Sequence, residues 1–436
     1  MRGASPRTPT AARFRPSITL RIGLPALALI ACATLIVPSA ASADDAAPVL
    51  FATNAPAHDN TIRPKMPISD LAIVAGQLYT GYGDYGLNTG PTEIMSYDLA
   101  TGAATDRFTL NGEAVGHFRT FDGDLYAPDI DPKLAWDANV GYATGSGGSW
   151  HYVFGTPFEH VFDVAKIGGT LFLAGQVLNP DKAVYGPANE LAVIKKSTDG
   201  GATWTIEKAR DSGSAAIGYD RYYQLTVAGD TLYAQATLDN GVVQPVDAWK
   251  GGIWSTFPQG GGVGFTGRDV PGVLGGTRFD GARTIVFNGN IVQGGSRFAL
   301  SGSGYGVWVQ PQDTRPSGKY APTYAAMPGQ VVDLFRDGGT LYALSQNSSG
   351  TTSFISSSTD GVSWQTRATF QNPLGEPFAH GTTTIQNPVG SFSLAVSGSD
   401  AYIGTSESTI YRVTLGVSAA PSTPAPTTQP PGKKKK

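Results

Sequence analysis

One hairpin pattern recurs seven times along this chain, and a chain built that way has few ways to fold. An alternating apolar strand runs into a Gly/Asp/Asn turn, and a second strand opens on an apolar–aromatic pair. The copies are LAIVAGQLYTG from Leu71, HFRTFDGDLYAPD from His117, FDVAKIGGTLFLAG from Phe162, YQLTVAGDTLYAQA from Tyr223, RTIVFNGNIVQGG from Arg283, VVDLFRDGGTLYALS from Val331 and FSLAVSGSDAYIGT from Phe392. Period-two alternation and turn residues that tolerate positive φ make each a β-hairpin. The turns fall near residues 76, 123, 168, 229, 288, 338 and 398, at intervals of 45 to 61 residues. That interval suits a four-stranded sheet with its loops, and a sustained period of this size marks a repeat architecture. The expected fold is all-β: a β-propeller of seven four-stranded blades. The seventh blade runs out of chain after Ser408–Val413. Its outer strand is therefore expected from the N-terminal segment Pro48–Ala52, which closes the ring and removes a free sheet edge.

Composition agrees. Glycine is abundant (56 of 436 residues) and charged residues are few (15%), which suits many short strands and tight turns. The flanks read differently from the body. Arg2, Arg7, Arg13, Arg15 and Arg21 precede an apolar run from Ile22 to Val37, and Ala41-Ser42-Ala43 follows. This is the pattern of an export signal spanning residues 1–43, and the run is short for a membrane span. Leu29-Ile30-Ala31-Cys32 also resembles a lipobox, which makes a lipid anchor on Cys32 the minor alternative. Secretion or cell-surface association is expected, with no transmembrane span after cleavage. Cys32 is the single cysteine, so residues 44–418 form a disulfide-free propeller domain. Residues 419–436 are Pro- and Thr-rich and end in Lys433, Lys434, Lys435 and Lys436, a disordered tail suited to electrostatic surface attachment. Residues 44–418 hold 22 basic against 34 acidic residues. A body that acidic excludes nucleic acid as a partner.

Two segments following core hairpins are more specific. Ser197-Thr198-Asp199-Gly200-Gly201-Ala202-Thr203-Trp204 and Ser358-Thr359-Asp360-Gly361-Val362-Ser363-Trp364 resemble the Asp-box, or BNR repeat, a turn between the third and fourth strands of propeller blades. The Asp and Ser side chains satisfy backbone groups across the turn, glycine takes the positive-φ position, and the Trp anchors the loop. Gly145–Trp150 reads as a decayed copy without its Asp. Asp-boxes are structural in that superfamily, so Asp199 and Asp360 receive no catalytic role.

The hairpin turns and the Asp-box-like turns are expected on one face of the disc. Long loops on the other face carry the unusual residues, and loops on a rigid scaffold are where function usually sits. Candidate ligand-binding residues there are Asp84, Tyr85, His117, Arg119, Asp129, His160, Arg221, Tyr222 and Arg297, with Glu113, Glu159, Asp220, Glu376 and His380 nearby. The expected role is an extracellular interaction module, acting as a monomer, that binds a glycan, a cell-wall polymer or a protein on this face. No cofactor is expected. The five histidines show no zinc-ligand spacing, whereas Asp129 and Asp131 are spaced as calcium-loop ligands are, which leaves calcium as the one metal the sequence allows.

The superfamily includes sialidases, which implies a test for three arginines, an Asp acid/base and a Tyr–Glu nucleophile pair. Arg63, Arg221, Arg297 and Asp84 supply candidates for the first two. Between Glu207 and Glu376 there is no Glu, so the partner that would activate the tyrosine is missing. The chain is thus sialidase-like in expected fold without the catalytic set. A glycoside hydrolase with a non-standard site is the alternative to a binding module.

Overall fold

The computed structural model describes residues 47–132, 140–154, 157–213, 220–238, 242–256, 284–294, 306–311, 323–375, 378–380, 383–385 and 388–416. The expected export signal with Cys32, the terminal lysines, Arg297 and Glu376 lie outside the described residues. The side chain of His380 does too.

The described chain is a seven-bladed β-propeller. Each blade is a four-stranded antiparallel sheet. Blade 1 is Ile68–Val74, Gln77–Tyr82, Thr92–Asp98 and Ala104–Leu110; blade 2 is Arg119–Phe121, Asp124–Pro128, Gly141–Ser146 and Ser149–Phe154. Blade 3 is His160–Ile167, Thr170–Leu178, Glu190–Ser197 and Thr205–Arg210; blade 4 is Arg221–Ala228, Thr231–Leu238, Asp247–Lys250 and Ile253–Thr256. Blade 5 is Thr284–Phe287, Asn290–Gly294, Gly306–Pro311 and Thr323–Ala326; blade 6 is Gln330–Asp337, Thr340–Gln346, Thr352–Ser358 and Gln365–Gln371. Blade 7 is Ser391–Ser397, Asp400–Thr405 and Thr409–Thr414, completed by the N-terminal strand Val49–Thr53. Val49 pairs with Arg412 and Thr53 with Thr409, so the outer strand comes from the other end of the chain, as its sequence pattern predicts.

The seven hairpin turns sit at the positions read from the repeat. Asn288-Gly289 and Asp122-Gly123 show why those residues are there: both central positions take positive φ (48° and 72°, 54° and 88°). That is the turn whose twist matches the flanking strands. The second signature is equally local. Gly201 N–H donates to Ser197 Oγ (2.8 Å), Thr203 N–H to Asp199 Oδ1 (2.9 Å) and Trp204 Nε1 to the Gly201 carbonyl (3.0 Å). The shorter copy repeats this, with Ser363 N–H on Asp360 Oδ1 (2.7 Å) and Trp364 Nε1 on the Gly361 carbonyl (2.9 Å).

Apolar burial is divided among blade-to-blade seams. Leu78, Tyr82 and Met95 of blade 1 pack with Ala395, Tyr402 and Ile410 of blade 7. Phe172 and Ile194 of blade 3 pack with Leu225, Leu232 and Ala234 of blade 4. Leu344 and Ile355 of blade 6 pack with Leu394 and Ile403 of blade 7. Each fully buried Leu, Ile, Phe or Met side chain contributes about 1.5–3 kcal/mol, so each of these seams is held by several such terms.

A buried carboxylate reinforces three seams. Asp70 accepts from its neighbour Leu71 N–H (2.9 Å) and from Phe118 N–H of blade 2 (2.5 Å). Asp163 accepts from Val164 N–H (2.7 Å) and from Leu225 N–H of blade 4 (2.6 Å). Asp333 does the same with Leu334 (2.8 Å) and Leu394 of blade 7 (2.7 Å). Each stands directly after a bulge in its blade's innermost strand and takes up an N–H at the inner edge of the next blade. Between blades 7 and 1 a shorter side chain makes the link, Ser393 Oγ donating to the Ile68 carbonyl (2.8 Å).

Candidate functional site

Antiparallel topology puts the first-to-second and third-to-fourth strand turns of a blade on one face. The innermost strands therefore start at the opposite, loop-rich face, and their first residues ring the mouth of the central channel. His160 and Arg221 are such first residues, in blades 3 and 4. Two short strands crowd this part of the mouth. Ile130–Pro132, from the middle loop of blade 2, pairs with the innermost strand of blade 3 through Ile130 and His160. Gly112–Ala114, from the link between blades 1 and 2, pairs with it in turn. These strands bring Glu113, Asp129 and Asp131 beside Glu159, His160 and Arg221.

The approach of the two strands depends on Gly112. A Cβ there would stand 1.8 Å from Asp129 Oδ1 and 3.0 Å from the Asp131 carbonyl. Asp129 itself is buried, with Tyr152 donating its hydroxyl to Oδ2 (2.7 Å). Burial pushes the Asp129 carboxyl up to about 7 against the pull of that hydrogen bond, with Asp131 adding to the rise. Glu113 is fully buried and neither carboxylate oxygen has a hydrogen-bond partner. Burial, with Asp131 and Asp129 nearby, raises it to about 8.

His160 lies flat against Phe162, 5.5 Å between ring centres, with Tyr85 edge-on at 6.1 Å. Its Nε2 is 3.1 Å from Asp131 Oδ2, and its Nδ1 is buried without a hydrogen-bond partner. Burial and then Arg221 hold it down at about 4 against the pull of Asp131, so it is neutral at pH 7. Glu159 Oε2 is buried and without a hydrogen-bond partner, 4.0 Å from His160 Nδ1. Burial and Glu190 raise Glu159 to about 7, with Arg221 acting in the opposite direction. Arg221 is anchored by Nε on Gln176 Oε1 (2.5 Å) and rests over Tyr85 (5.7 Å) and Phe162 (5.4 Å). Gln176 spends its amide nitrogen on Glu190. Tyr85 and Asp131 keep partial exposure and form the open side of this cluster.

The candidate residues separate into groups. Tyr85, Asp129, His160 and Arg221 meet at the mouth. Asp84 lies at its edge, where its side chain is paired with Arg63 and its backbone organises the 84–89 loop through Thr89. Arg119 and His117 turn to the seam between blades 3 and 4. Arg119 makes a two-pronged contact with Asp163 (2.8 and 2.7 Å), and His117 Nε2 lies 2.8 Å from the same carboxylate. Tyr222 is buried inside blade 4 and donates to Asp247 Oδ2 (2.6 Å). Its neighbour Tyr223 takes the mouth side and contacts Phe162, 4.6 Å between ring centres. Period-two alternation decides this, and a one-residue difference selects the opposite face. Phe162, Gln176, Glu190 and Tyr152 also belong to the cluster. In the sequence they are indistinguishable from ordinary strand residues.

Among the described residues, no group of three or more His, Cys, Asp and Glu side chains is arranged to hold a metal ion. Nor is any helix there long and apolar enough to cross a membrane.

No family model matches the chain, and no curated protein matches it. Its similarity to solved structures is one of fold. A catalytically inactive virginiamycin B lyase from Staphylococcus aureus with quinupristin is 11% identical, with a TM-score of 0.45, over 82% of this chain and 97% of that one. YCF48 bound to D1 peptide is 12% identical, with a TM-score of 0.44, over 88% and 99%. The computationally designed Ika8 protein is 11% identical, with a TM-score of 0.40, over 80% and 96%.

Proposed function

We propose that this protein is a secreted interaction module that binds a glycan or cell-wall polymer at the channel mouth formed by blades 1 to 4. The carrying observation is the convergence of buried polar groups without partners, Glu113, Glu159 Oε2 and His160 Nδ1, behind the partly exposed Tyr85 and Asp131. Buried polar atoms are almost always satisfied, so several unsatisfied ones grouped around Asp131 favour a site completed by a ligand. An aromatic ring beside such acceptors suits a hydroxylated ring: its apolar face stacks while its edges donate hydrogen bonds. The Asp-box-like turns and the acidic body fit an Asp-box propeller that avoids nucleic acid.

The test is a screen of the purified protein against wall polymers and glycans, scoring retention and release of cleaved sugar. Retention lost on Tyr85→Ala supports the reading. Failure to retain any polymer, or retention indifferent to that change, overturns it.

A second reading has one observation in its favour. Glu113, Asp129 and Glu159 are raised to about 8, 7 and 7. Carboxyls held protonated near neutrality can act as general acids in glycoside cleavage. Release of reducing sugar in the same screen, abolished by Glu159→Gln, would support a hydrolase with a non-standard site.

A further inference from the structure

Glu159 and His160 are adjacent in the chain but come from different constraints. Glu159 N–H is tied to the Gln176 carbonyl (3.0 Å), which fixes the backbone ahead of the blade 3 strand. His160 is fixed by its stack on Phe162 and by Asp131 on Nε2. A carboxylate against Nε2 selects the tautomer with the proton there, which leaves Nδ1 as a lone-pair acceptor. Glu159 Oε2 lies 4.0 Å from Nδ1. That separation is too long for a hydrogen bond between the two and suits two bonds to one donor lodged between them. Both residues are more than nine-tenths buried, and neither atom has a hydrogen-bond partner.

The surrounding charge favours a cationic donor. The groups acting on Glu159 are Glu190 from the third strand of blade 3, Asp131 from the inserted strand, and Arg221 from blade 4. Two acids and Glu159 itself therefore face one cation, and Arg221 is already held by Gln176 and by rings.

We propose that Glu159 Oε2 and His160 Nδ1 form a subsite for a primary ammonium group, the amine of an aminated sugar. This rests on the glycan-binding reading for its sugar and not for its charge. An ammonium carries several N–H donors and can serve both acceptors at once, whereas a hydroxyl carries one. Binding draws Glu159 into its ionised form, so affinity rises with pH through the point where Glu159 titrates, about 7. If the ionised form alone binds, apparent affinity scales with its population and falls about fifteen-fold between pH 7.0 and 5.5.

The experiment is calorimetric titration of the intact protein with glucosamine, N-acetylglucosamine, glucose and methylammonium chloride, at pH 7.0 and 5.5. Wild type is compared with Glu159→Gln, its fold checked by circular dichroism. The expected result is glucosamine bound about tenfold or more tighter than either neutral sugar, with that preference lost at pH 5.5 and in the variant. Neutral and charged sugars bound equally, or a preference indifferent to pH, would overturn the inference and leave the glycan reading standing. Methylammonium bound with the same pH dependence while no sugar binds would support the subsite and overturn the glycan reading. No binding by any of the four overturns both. The wild-type comparison of charged with neutral sugars decides the matter even if Glu159→Gln fails to fold.

Discussion

Asp163→Asn isolates the charge that holds blades 3 and 4 together. In the native protein Asp163 is fully buried. It accepts from Val164 and Leu225 N–H, takes both prongs of Arg119, and lies beside His117. Burial works against the ionised form, yet Arg119 and His117 hold the carboxyl well below its usual range. Asparagine keeps the shape but removes the charge and turns an NH2 toward groups that are themselves donors. Breaking one partner of a buried ion pair costs about 3–5 kcal/mol. A native propeller has about 5–15 kcal/mol in hand, so the variant folds with a reduced margin. The assay is urea unfolding followed by tryptophan fluorescence, and the expected midpoint shift is about 1 M or more. A cycle with Arg119→Met should show a coupling of at least about 1.5 kcal/mol. Additivity of the two substitutions, or a loss for Asp163→Asn below about 1 kcal/mol, would refute the reasoning. The pH dependence gives a second check. A depressed carboxyl contributes stability that is complete above its unfolded value, near 3.8, and is lost as pH falls toward the folded value. Acid destabilisation below pH 4 should therefore be shallower in Asp163→Asn than in wild type.

Glu113 carries the opposite sign. Its folded value of about 8 lies above the ordinary 4.5, so the folded state holds a proton that the unfolded chain has released, and stability declines as pH rises between these limits. Glu113→Gln should match wild type at pH 5 and exceed it by a few kcal/mol at pH 9, measured by urea midpoints at both; equal midpoints at pH 9 count against a buried proton. Gly112→Ala forces a methyl group to within 1.8 Å of Asp129 Oδ1. It should cost about 1–3 kcal/mol and abolish retention at the mouth while the circular dichroism spectrum keeps its β character. Deleting residues 44–53 removes the strand that pairs with Thr409–Thr414. The melting temperature should fall and soluble oligomers should appear in light scattering, because the exposed edge of blade 7 is a template for pairing.

The fold was legible in the sequence because its information is local. Asn288-Gly289 and the alternating apolar residues beside it specify a hairpin without reference to the rest of the chain, and seven such hairpins at blade-length intervals leave a propeller as the way to bury all their faces. The closing strand was legible too, since a blade one strand short at the C-terminus requires a strand from elsewhere. The mouth was legible only in part. Asp84, Tyr85, His160 and Arg221 stood out as polar or aromatic residues in loops and at strand starts. The sequence could not say that Arg119 and His117 turn to Asp163, that Tyr223 rather than Tyr222 looks into the mouth, or that Gly112–Ala114 pairs beside Ile130–Pro132. Those outcomes depend on bulges, on which face a strand residue takes, and on contacts between segments as far apart as residues 119 and 225. Local chemistry determines that each hairpin forms. Only closure of the ring decides which buried carboxylate meets an arginine and which is left without a partner.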